Sequence, residues 1–88
     1  MQFMSIYTWE PEKRDEVMRR IGEWRDPEGL KVIKMWSDIT GGRCFVLWEG
    51  DDPRPWFAAA HFGFADITKE EAVPVMETAE VMQLLSKP

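Results

Sequence analysis

The 88-residue sequence predicts an α+β domain built on one four-stranded antiparallel sheet. Three observations predict it. Short stretches rich in β-branched and aromatic residues recur along the chain, an amphipathic stretch of helical period follows the first of them, and Thr40-Gly41-Gly42 joins the second to the third.

The first strand is read from Gln2 to Trp9, with Met4 and Ile6 on one face and Phe3, Ser5, Tyr7 and Trp9 on the other. Glu10-Pro11 stops it, since proline lacks the ladder amide but suits the first turn of a helix. From Glu12 to Arg25 the residues Val17, Met18, Ile21 and Trp24 recur at spacings of three and four with charges between them. That single apolar stripe predicts a helix lying on a sheet.

Asp26-Pro27-Glu28-Gly29 is a turn, and Leu30 to Ile39 reads as a strand with Ile33 and Met35 on one face and Val32, Lys34 and Trp36 on the other. Two glycines in Thr40-Gly41-Gly42 supply left-handed backbone for a tight hairpin into a third strand, Arg43 to Glu49. Both faces of that strand are apolar, so alternation leaves its orientation open. Asp52 reads as the N-cap of a second helix with Pro53 at its first position, apolar on the side of Trp56, Phe57 and Ala60 and ended by Gly63. Glu70 to Met76 is a fourth strand, placed at a sheet edge by Pro74. Glu77 and Glu80 favour the start of a last helix that packs through Val81, Leu84 and Leu85.

The order is βαββαβ plus a C-terminal helix, which predicts the ferredoxin-like split βαβ arrangement as one domain over residues 1–88. So small a domain buries only roughly 60 to 70% of its unfolded surface, which favours adding a second copy. A formal charge of −5 with no basic stripe argues against nucleic acid and anionic membranes as partners. The lone Cys44 fits a reducing cytoplasm, and the N-terminus carries no signal-like or membrane-spanning run. No spacing suggests a metal site, phosphate loop or bound cofactor.

Pro11-Glu12-Lys13-Arg14-Asp15, Pro27 to Val32, Trp36-Ser37-Asp38, Gly41-Gly42, Phe45-Val46-Leu47, Glu49 to Pro53 and Val73-Pro74-Val75 together resemble the DUF3303 family, a domain of unknown function. The resemblance spans nearly the whole chain and is tightest from Pro27 to Pro53. It implies a homodimeric α+β barrel in which two four-stranded sheets enclose a cavity, and it implies no activity. Relatives often carry histidine where this sequence has Ser37, so no role for such a histidine carries over.

Five tryptophans in so short a chain need an explanation. Tyr7, Trp9, Lys34, Trp36 and Trp48 are the ligand-binding candidates, expected on a sheet face shielded by a second subunit and not by the chain's own helices. The same rings equally suit a self-complementary interface with no void. His61 titrates nearest neutrality and, with Tyr7, is the candidate acid or base if the chamber is an active site for a cofactor-independent oxygenase or isomerase acting on an aromatic substrate. Cys44 is a nucleophile only if the fold brings it to His61, and buried structural cysteine is the commoner case. Haem-degrading barrels use an asparagine beside their histidine and tryptophan, and this sequence has none.

Overall fold

A computed structural model describes residues 1–26, 28–52, 54 and 66–86. The expected second helix, with Trp56, Phe57, Ala60, His61 and Gly63, lies outside the described residues, as do Pro27 and Pro53. Strand β1 spans Gln2–Thr8, a 3-10 turn Pro11–Lys13 leads into helix α1 (Arg14–Gly22), and strands β2 (Lys31–Ser37), β3 (Arg43–Glu49) and β4 (Lys69–Val75) precede helix α2 (Thr78–Ser86). The four strands form one sheet in the order β2-β3-β1-β4, and every neighbouring pair is antiparallel.

Local chemistry explains the boundaries. Pro11 opens the first helical turn, where its missing amide costs nothing. Trp24, expected inside the helix, lies just beyond it in the loop, its backbone amide bonded to the Ile21 carbonyl. The β2-β3 connection runs over residues 38–42 and is longer than a two-residue turn, because Asp38 organises it. The Asp38 carboxylate accepts from the Thr40 amide at 2.9 Å, the Thr40 hydroxyl at 2.7 Å and the Arg43 guanidinium at 3.3 Å. Only Gly41 takes a positive φ there, at 88°. Gly50 is required for a different reason: a Cβ would stand 2.8 Å from the Gly29 carbonyl oxygen. Asp52 accepts from the Arg54 amide at 2.9 Å, the bond an N-cap makes.

One face of the sheet is buried under α1. Phe3, Ser5 and Tyr7 of β1 and Cys44, Val46 and Trp48 of β3 point to it, and Val17, Ile21 and Trp24 pack from above. The indoles of Trp24 and Trp48 meet edge to face, with centroids 5.5 Å apart. The other face carries Met4, Ile6, Phe45 and Leu47, half-buried, beside the exposed Trp36 and Val73.

Two sequence expectations are corrected here. Tyr7, Trp9 and Trp48 are on the side covered by the chain's own helix, while the Met4/Ile6 side is the one no described element covers. The large rings fill the deep space between helix and sheet, and Ser5 between them satisfies an indole that would otherwise be buried unpaired. The alternation expected for β2 is broken by a bulge at Ile33: Val32 pairs with Trp48, yet the next pair is Lys34 with Leu47. Val32 and Met35 therefore both join the core side, Lys34 and Trp36 stay on the open face, and Ile33 is left as the extra residue.

Candidate functional site

The covered face is incompletely filled. Between α1 and the sheet runs a crevice lined by Tyr7, Trp9, Val17, Ile21, Trp24, Met35, Cys44, Val46, Trp48 and Thr68. It encloses about 350 Å³ counting its open mouth, and its interior is narrow, with room for about one water molecule. Its mouth meets a wider polar cleft walled by Thr8, Glu10, Lys13, Asp66, Ile67 and Lys69, and Trp9 and Thr68 line both.

A directed chain of hydrogen bonds crosses the crevice floor. The Trp48 indole donates to the Ser5 hydroxyl at 3.1 Å, Ser5 donates to the Tyr7 phenol, and Tyr7 donates to Glu70, its cross-strand partner on β4. Ser5 is wholly buried. Burial pushes the Tyr7 phenol well above its ordinary value, and the Glu70 carboxylate pushes it further, so Tyr7 stays neutral and acts as a donor. Burial also raises the Cys44 thiol, which keeps it out of the reactive thiolate form.

Trp9 forms the rim. Its indole donates to the Gly41 carbonyl at 3.0 Å, so the β2-β3 turn fixes the ring's position. On the helix side Arg20 grips Asp66 through two bonds of 2.6 and 3.0 Å and also holds Glu16. This ties α1 to the segment that delivers Thr68. At the outer cleft the contact between the two carboxyls raises Glu10 and lowers Glu12.

Of the five ligand candidates read from the sequence, the structure brings Tyr7, Trp9 and Trp48 together and places Lys34 and Trp36 on the opposite face, where the Lys34 ammonium stands 5.5 Å from the Trp36 ring centre. His61, the other acid or base candidate, lies outside the described residues. Sequence reasoning missed Ser5, Thr68 and Glu70, and it left open whether Trp24 serves the core or the cavity wall. The signal for Glu70 was present in the strand register, since pairing Pro74 with Phe3 sets Glu70 opposite Tyr7. Among the described residues no three His, Cys, Asp or Glu side chains gather as metal ligands, and no helix is long and apolar enough to cross a membrane.

A family model described as Domain of unknown function (DUF3303) matches residues 1–88. No curated protein and no solved structure matches the chain.

Proposed function

The chain belongs to the DUF3303 family, and from that premise we propose that it is a homodimeric module binding a small, flat, apolar or aromatic ligand at the mouth of the crevice between α1 and the sheet. The observation that carries this is the aromatic wall of the crevice and its open mouth at Trp9 and Thr68, which leads into the wider cleft; the interior holds about one water, so a ring is received at the mouth. Such a site rewards ring stacking and shape over charge. Tyr7 and Cys44, both held neutral by burial, favour binding over chemistry.

The strand order and antiparallel pairing support a ferredoxin-like reading of the domain. The apolar open face supports its use as half of a dimeric α+β barrel, because a patch holding Met4, Ile6, Phe45, Leu47 and Trp36 is costly to leave in water. The single thiol supports a reducing compartment such as the cytoplasm.

Tryptophan fluorescence tests the ligand reading. Titration with a panel of small aromatic compounds is expected to give saturable quenching that Thr68→Phe, which plugs the mouth, abolishes and Trp36→Phe leaves intact. Loss of the signal in Trp36→Phe with retention in Thr68→Phe would move the site to the open face. Absence of saturable quenching with every compound rejects binding. Sedimentation at micromolar concentration tests the dimer, and a 10.3 kDa particle there rejects it.

A further inference from the structure

Among the described residues, helix α2 is a second apolar surface that lies uncovered. All nine of its residues are exposed, with Leu84 at 57% and Leu85 at 76%. A helix of nine residues is marginal alone in water, so it needs a surface to lie on. No other described strand or helix approaches its backbone closely.

Its chemistry selects the surface. The helix start carries Glu77 and Glu80, and its flank carries Val81, Leu84 and Leu85. Edge strand β2 shows the complementary charge, with exposed Lys31 and Lys34 beside exposed Ile33 and Trp36. Within one chain the two cannot meet along their lengths. Strands β4 and β2 are opposite edges of the sheet, about 14 Å apart at ordinary strand spacing. The linker Met76-Glu77 spans at most about 7 Å.

We propose that α2 of each protomer docks on the β2 edge of a second copy, Glu77 and Glu80 against Lys31 and Lys34, and Leu84 and Leu85 against Ile33 and Trp36. This rests on the dimer proposed above and adds an exchanged helix to it. Twofold exchange covers both helices at once and closes the assembly at two.

Charge reversal in the full chain tests the exchange. Glu77→Lys with Glu80→Lys, and separately Lys31→Glu with Lys34→Glu, are each expected to weaken the dimer about tenfold at low salt, as paired rim charges do. A chain carrying all four is expected to return to within about threefold of the original. Circular dichroism checks that each variant is folded. In a mixed-label NMR sample, contacts between Leu85 methyls of one protomer and the Trp36 ring of the other are the direct signature. Intramolecular contacts only, no contacts, or reversals without effect on an intact dimer overturn the exchange and leave the sheet-to-sheet dimer standing. A chain that is monomeric throughout overturns both.

Discussion

The two faces of this sheet carry similar amounts of apolar side chain and differ in how their polar atoms are treated. On the α1 side every described ring with a polar tip has a partner: Trp48 has Ser5, Tyr7 has Glu70, Trp9 has the Gly41 carbonyl, and Trp24 has Asp26 at 3.0 Å. On the open side cations lie over ring faces instead, Lys34 on Trp36 and Arg43 on Phe45. The first arrangement suits an interior, where an unpaired donor is expensive, and the second suits a surface that meets water in one state and another protein in the next. A buried face is therefore recognised by where its donors go more than by how apolar it is.

The largest expected effect is at Trp48. Replacing it with alanine should cost about 3 to 5 kcal/mol in urea unfolding, because a large ring is removed from a packed layer. Trp36→Ala, measured in solution dilute enough to hold monomers, should cost about 1 kcal/mol or less. Equal losses would erase the distinction between the faces.

Ser5→Ala sharpens it. Losing one hydroxyl strands the Trp48 donor and removes a donor from Tyr7, an expected cost of about 1 to 3 kcal/mol, although the side chain shrinks by a single atom. Thr8→Ala at the end of the same strand removes a half-buried hydroxyl that takes no part in that chain of bonds and should change stability by about 0.5 kcal/mol or less. Should the two cost the same, the hydrogen-bonded floor is not what stabilises the crevice.

The smallest effect is electrostatic. Arg19 and Arg20 hold the Glu16 carboxyl down to about 2, and Arg20 also lowers Asp66. Both groups bind protons more weakly folded than unfolded, so the stabilisation is complete above the unfolded values and declines as pH falls from about 5 toward 2. The melting temperature of the wild type should drop more across that range than that of Glu16→Gln. These groups are solvent-exposed, which keeps the difference modest and makes it shrink further in high salt.

Most of the strands and both described helices were legible because each follows an ordinary rule: alternation in β1, a 3.6-period stripe in α1, Pro74 at an edge, an acidic start to α2. Which face α1 covers was not legible. Met4 and Ile6 look like core by residue type, and only the partners of Tyr7 and Trp48, set by pairing residues far apart in the chain, reveal the other face as the interior. The bulge at Ile33 was hidden for a related reason, as no glycine or proline marks it and its cause is the need to send both Val32 and Met35 inward. The candidate site was half legible, since ring-bearing residues stand out in a sequence while a serine and a glutamate that complete the network do not.

That extra residue at Ile33 also bears on how far assembly can proceed. A flat outer strand templates the addition of further strands, whereas here one rim is kinked by the bulge and the other is interrupted at Pro74, which has no amide to offer a newcomer. Lateral growth into ribbons or fibrils is therefore disfavoured at both margins of the sheet.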